Sequence, residues 1–109
     1  MVEASELDTS LIYRTLRNTA RVFKNSIAEQ VIEIEGKPGE TKFEDIQPLV
    51  AGVKGRELFD TGDLDKGIWS AGMVVGLIDD IPTVEELITR IVDEAEKIIN
   101  ERLGSAVSV

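Results

Sequence analysis

The chain has 109 residues, fewer than the ~150 of a typical domain, so one compact domain is the ceiling and a complete (β/α)8 barrel, which needs roughly 200 residues or more, is excluded. Twelve Lys and Arg stand against 21 Asp and Glu, a formal net charge of −9 that repels phosphate backbones and anionic lipid surfaces, so neither nucleic acid nor membrane is an expected partner. With no Cys and no His, the chain has no disulfide, thiolate nucleophile or Ser-His arrangement of its own.

Hydrophobic residues make up 42% and aromatics 5%, which points to a globular domain with an aliphatic core. No run of ~18 apolar residues is present, so no membrane span is expected. The first ten residues carry acids where a secretory leader would carry Lys or Arg. With the missing cysteines, this makes the expected location cytoplasmic.

Residues 1–9 are small and polar and read as a tail or a short helix. From Ser10 to Lys24 two patterns compete. Arg14, Arg17, Arg21 and Lys24 recur every three or four residues, as on a basic helix. Tyr13, Thr15, Thr19 and Val22 favour two strands, 10–16 and 19–24, turning near Arg17-Asn18. Asn25-Ser26 signals a helix start, with Glu29 completing a capping box from Ser26; the helix should run over 27–34 and stop at Gly36-Lys37-Pro38-Gly39. Thr41 and Glu44 repeat the capping pattern before a short helix to Val50, with Pro48 tolerated early in it. Gly52 and Gly55 read as breakers, leaving one helical turn at 56–59. Residues 60–67 form an acidic loop. An apolar stretch starts at Ile68-Trp69, where Ser70 is placed to cap a short helix, and Asp79-Asp80-Ile81-Pro82 ends it. Thr83 and Glu86 open the clearest element, a helix with Val84, Leu87, Ile88, Ile91, Val92, Ala95, Ile98, Ile99 and Leu103 on one face. Gly104 reads as its stop and the last five residues as a frayed tail.

The candidate chemistry is sparse. Asp60, Asp63 and Asp65 cluster as hard-cation ligands do, but the twelfth position from Asp63 is Val74 rather than Glu, so no EF-hand is formed and no metal is expected. Trp69-Ser70-Ala71-Gly72 resembles part of a G-x-S-x-G elbow, but Ile68 stands where the first Gly belongs and no His can activate the serine. The same small residues suit either a ligand approaching a helix start or close helix packing through Ala71, Gly72 and Gly76. Arg14, Arg17 and Arg21 could grip a phosphate or carboxylate, or pair with the surplus acids. Gly36 to Thr41 lacks the residue order of a phosphate loop.

Two ordered segments carry a resemblance. Residues 11–22, Leu-Ile-Tyr-Arg-Thr-Leu-Arg-Asn-Thr-Ala-Arg-Val, and residues 62–78, which include Gly67-Ile68-Trp69-Ser70-Ala71-Gly72-Met73-Val74-Val75-Gly76, resemble the C-terminal third of nitronate monooxygenase (2-nitropropane dioxygenase)-like flavoproteins. Members described as bacterial NADH:quinone reductases are especially similar. The resemblance covers residues 3–103 and implies an α+β, mainly α fold with a small β-hairpin: the lid domain and final helix of an FMN-binding (β/α)8-barrel oxidoreductase, with the barrel itself missing. It favours the hairpin at 10–24. It also implies a lid-type portion at 1–66 and a flavin-facing portion at 67–109 that packs on the barrel. By the same resemblance Ser70 lies near flavin or substrate, with Trp69, Ala71, Gly72 and Met73 around it; many members carry Gln where Met73 stands. The family's catalytic His and its FMN-phosphate loops belong to the barrel, so no catalytic residue is expected in this chain, which alone would be inactive. The implied cofactor is FMN, and the implied partners are a nitronate or quinone substrate, NADH as a compatible donor and the missing barrel portion; the apolar faces of 68–78 and 83–103 make a second copy, in a homo-oligomer, a further expected partner. A rival of another class is a non-catalytic interaction domain using the apolar faces of 68–78 and 83–103.

Overall fold

The computed structural model describes residues 1–107. Strands β1 (Thr9–Ile12) and β2 (Ala20–Phe23) are followed by helices α1 (Ser26–Glu35), α2 (Phe43–Val50) and α3 (Gly52–Thr61), a 3-10 turn (Met73–Leu77), α4 (Val84–Ile98), a π turn (Ile99–Leu103) and α5 (Gly104–Val107). The protein is thus mainly α with one two-stranded antiparallel hairpin. Two compact units are distinguished, one spanning Met1–Asp79 and a second beginning at Asp80.

In the first unit, β1 and β2 pair Thr9 with Phe23, Ser10 with Val22, Leu11 with Arg21 and Ile12 with Ala20. Alternation puts Ile12 and Val22 on the inner face. There they join Ala28 and Val31 of α1 and Ile46 of α2 in the core, flanked by Leu16, Leu49, Val50 and Ile68. The strands are shorter than the 10–16 and 19–24 expected. Tyr13 and Arg17 both take left-handed backbone angles (φ 61° and 55°), which no strand accommodates. The connection is held from α1 instead. The Glu35 carboxylate accepts from the Tyr13 and Thr15 backbone N–H groups, each at 3.0 Å, and from the Thr15 hydroxyl at 2.7 Å.

Several expected boundaries shift. Residues 1–8 form turns rather than a helix, with the Asp8 carboxylate accepting from Ser5 N–H at 2.7 Å. Helix α1 is capped by Asn25, not Ser26: its side-chain oxygen accepts from Ala28 N–H at 2.9 Å. Helix α2 starts one residue later than expected, with Asp45 accepting from Lys42 N–H at 2.8 Å in place of the Thr41–Glu44 pair. Pro48 stands inside it; the carbonyl it leaves unbonded belongs to exposed Glu44 in the first turn, within reach of water. Gly52 and Gly55 do not break the chain. They lie within ten-residue α3, whose buried Leu58 offsets the conformational cost of the glycines. The break lies before it, at Ala51 (ψ 139°), and α3 stops at Gly62 in the left-handed conformation.

The second unit contains α4. Thr83 and Glu86 form the expected capping box: Thr83 Oγ1 accepts from Glu86 N–H at 3.2 Å, and the Glu86 carboxylate accepts from Thr83 N–H at 2.8 Å. None of the residues of α4 is buried. Gly104 does not stop the helix; its angles are helical (φ −57°, ψ −44°) and α5 continues to Val107. Glycine commonly ends a helix by adopting φ > 0; Gly62 does so and Gly104 does not. The expected frayed tail is therefore helical through Val107, and its last two residues lie outside those described. No helix among the described residues is long and apolar enough to cross a membrane.

The capping box sets a pH response. Hydrogen bonds from Thr83 hold the Glu86 carboxyl below its usual range, and the Ser26 N–H does the same for Asp65. A depressed folded-state pKa contributes stability that is present above the unfolded pKa and lost as pH falls through the folded one. Acidification below the ordinary carboxylate range is therefore expected to fray the start of α4, read as loss of amide protection at Glu86 and Leu87. In Thr83→Ala the same amides should already be less protected at neutral pH, by about 1 kcal/mol. Equal protection in the two proteins would contradict the capping assignment.

Candidate functional site

Residues 69–73 run alongside the free edge of β2. Ser70 forms an antiparallel bridge with Val22. The Phe23 N–H donates to Trp69 C=O at 3.0 Å, and the Ala71 N–H donates to Arg21 C=O at 3.4 Å. The segment thus extends the hairpin by one short strand-like stretch and is fixed at backbone level. Ser70 is a bridge residue, not the helix cap expected; Gly72 takes the N-cap position of the 3-10 turn, without a side chain to bond.

The side chains of this segment divide by burial. Ala71 is buried and Trp69 half-buried, while Ser70, Gly72 and Met73 face solvent. The Trp69 ring stacks on Phe23 with centroids 4.6 Å apart and planes at 20°, a contact the stripe of aliphatic residues around it did not signal. Its indole Nε1–H is buried with no hydrogen-bond partner, an expensive condition for a donor. The hydrogen bonding of this segment is incomplete among the described residues. A Cβ on Gly72 would make only ordinary van der Waals contact, with Val74 at 3.7 Å or more, so Gly72 is exposed but not required there by packing. Close packing is the role of Gly76 instead, where a Cβ would lie 2.8 Å from the Glu6 backbone nitrogen.

What positions this segment is a residue that sequence patterning marked only as part of a helix start. Buried Asn25 donates through Nδ2 to Leu64 C=O at 2.6 Å and Gly67 C=O at 2.8 Å, while its Oδ1 caps α1. Asp65 accepts from Ser26 N–H at 2.9 Å. The acidic loop before Ile68 is thereby tied to α1. Its aspartates serve as turn and cap acceptors: Asp63 accepts from Asp65 N–H at 3.0 Å. No group of carboxylates arranged to hold a metal ion occurs among the described residues.

Arg14, Arg17 and Arg21 do not form a basic helix. Arg21 lies on β2, and its Nη1 donates across the hairpin to Thr9 Oγ1 at 2.9 Å. Arg14 and Arg17 lie in the connection between the strands.

No protein-family model matches the chain. Among solved structures it is similar to FabK from Thermotoga maritima, with a TM-score of 0.77 and 28% identity over 95% of this chain. The chain spans about a third of that protein, 32% of its length. The likeness supports the resemblance to 2-nitropropane dioxygenase-like enzymes carried by residues 11–22 and 62–78.

Proposed function

We propose that this chain acts as the C-terminal, pocket-covering portion of an FMN-dependent oxidoreductase related to the nitronate monooxygenases. The observation that carries the proposal is the likeness to FabK over nearly the whole chain and only a third of FabK's length. An oxidoreductase parent is the coarse reading this supports; nitronate monooxygenase against NADH:quinone reductase is the finer choice. The first, with a nitronate as substrate, is the form taken here, although the segments that carry the resemblance are especially similar to members described as NADH:quinone reductases. A quinone acceptor with NADH as donor is the second form of the same chemistry.

The residues of the 69–73 segment suit one wall of a flavin site and no more. The solvent-exposed Gly72 backbone and Ser70 leave room for a flat ring and one hydrogen bond. The backbone pairing of residues 69–71 with β2 holds Ser70 in place, as binding sites require. FMN, when bound, supplies hydride and electron transfer. Ser70 would orient the ring or substrate, Gly72 would allow its approach, and Trp69, Ala71 and Met73 would complete the wall. No proton transfer is assigned to this chain. The division into a lid-type portion at 1–66 and a flavin-facing portion at 67–109 belongs to the same proposal.

The exposure of α4 supports it further. Leu87, Ile88, Ile91, Val92, Ile98, Ile99 and Leu103 are each 41–58% exposed, and an apolar stripe of this length calls for a cover. A barrel portion, absent from this chain, would supply it. The rival reading, an interaction domain or homo-oligomer, uses the same stripe to bind a partner or a second copy.

Ser70→Ala in the flavin-bound enzyme is expected to weaken FMN or substrate binding, up to about tenfold, the worth of one hydrogen bond. The fold should be unchanged, since Ser70 is held by its backbone. Titration of flavin fluorescence together with kcat and KM reads the effect. Unchanged affinity and kinetics would remove Ser70 from the site.

A further inference from the structure

A groove of about 750 Å³ runs along β1, away from residues 69–73. One side is β1 itself, whose second edge carries no partner strand among the described residues. The other is the C-terminal end of α1, at Ile32, Glu35 and Gly36. Arg14 and Arg21 both line it. They come from different elements, the interstrand connection and β2, and converge because Arg21 reaches across the hairpin to Thr9.

The charge here runs against the rest of the molecule. The chain carries a net charge of −9, yet neither Arg14 nor Arg21 forms an ion pair with an acid among the described residues. The one carboxylate lining the groove, Glu35, is committed to three hydrogen bonds with Tyr13 and Thr15. Two guanidinium groups against one carboxylate leave the groove net positive. Forked guanidinium donors match the oxygens of phosphate and carboxylate groups. Leu11 with half-exposed Ile32 supplies an apolar floor. A volume in this range is typical of small-molecule sites, in which a few polar groups fix a largely apolar ligand.

We infer that this groove binds an organic phosphate, with Arg14 and Arg21 holding the phosphate and Leu11 and Ile32 underlying its apolar body. Phosphate is favoured over carboxylate because two separate guanidinium groups can each engage a different pair of its oxygens, where a carboxylate offers one pair. The site is distinct from the flavin-facing segment and does not depend on its assignment.

Phenyl phosphate is the probe, titrated into the full chain and followed by backbone amide shifts, with benzoate and inorganic phosphate in parallel. Saturable shifts confined to Thr9–Thr15, Arg21 and Ile32–Gly36 are expected. Phenyl phosphate should bind at least tenfold more tightly than benzoate and more tightly than inorganic phosphate. Arg14→Gln lies in an exposed turn and leaves the hairpin intact; it should weaken binding tenfold or more. Arg21→Gln should do the same, and Arg21→Lys should restore only part of the affinity. Shifts spread over the surface, benzoate binding as tightly as phenyl phosphate, or an Arg14→Gln protein that keeps the native spectrum and full affinity would each overturn the assignment.

Discussion

Gly67→Ala is expected to be the most damaging small substitution in the first unit, with a loss of about 3 kcal/mol in unfolding free energy. Gly67 is buried, and a Cβ there would lie 2.6 Å from Lys54 C=O and 2.8 Å from the Gly55 nitrogen. Both are backbone atoms of α3, so no side-chain rotation relieves the clash; the loop or the helix must move. The contact does not require glycine at position 55, where a Cβ would lie 3.7 Å from Ile68 C=O, an ordinary separation. Chemical denaturation of the variant against the parent reads the loss directly. Gly52→Ala serves as the control, since nothing lies within 4 Å of its added Cβ; it should be neutral or stabilising by up to about 1 kcal/mol. Similar stability of the Gly67→Ala and parent proteins would contradict the packing of the loop on α3.

Asn25→Ala is expected to cost nearly as much, about 2–3 kcal/mol. Loss of the α1 cap accounts for about 1 kcal/mol, and the carbonyls of Leu64 and Gly67 lose their buried donor. Asn25→Asp separates the two roles. Its carboxylate still accepts from Ala28 N–H and caps α1, but it offers no N–H to the two carbonyls and sets a negative charge against them. Amide exchange should therefore stay slow in α1 and become fast at 64–69 in this variant. Because that loop leads into residues 69–73, the stacking of Trp69 on Phe23 should loosen with it, read as a change in tryptophan fluorescence. Slow exchange at 64–69 in Asn25→Asp would show that the loop is held by other contacts.

The legible parts of the fold were those where a local signal had no competitor. Thr83 and Glu86 lie three apart before an unbroken apolar stripe, and the capping box and α4 follow. Gly36 to Gly39 ended α1 as expected. The hairpin was ambiguous because Arg14, Arg17 and Arg21 recur with helical spacing while their neighbours are strand formers. Tertiary contacts decide it, through the register of Ile12 and Val22 on the core and the grip of Glu35 on the turn. Helix α3 was missed because glycine is read as a breaker from local cost alone; the approach of Gly67 to residues 54–55 is long-range and leaves no mark in the local pattern.

The proposed flavin-facing role of residues 69–73 rests on resemblance rather than on spacing. Spacing alone left this stretch between a ligand-facing helix start and close packing through Ala71, Gly72 and Gly76; Ala71 is buried and Gly76 lies tight against Glu6, while Ser70 starts no helix. The stretch is an edge segment paired with β2, with one face buried through Ala71 and the other open at Ser70. Asn25, which organises it, was legible as a cap but not as a donor to the loop about 40 residues later, because side-chain partners at that separation are set by the fold. The arginine series illustrates the same point: periodicity marked the residues, and only the hairpin register shows that two of them share a groove.

The central claim is that this chain completes a larger flavin-binding enzyme. The most direct test is the native mass and visible absorption of the protein isolated from its source with an antibody against α4. The account predicts a particle at least about three times the chain's 12.0 kDa, as the 32% coverage of FabK implies, carrying the spectrum of an oxidised flavin. A colourless 12.0 kDa species would contradict it.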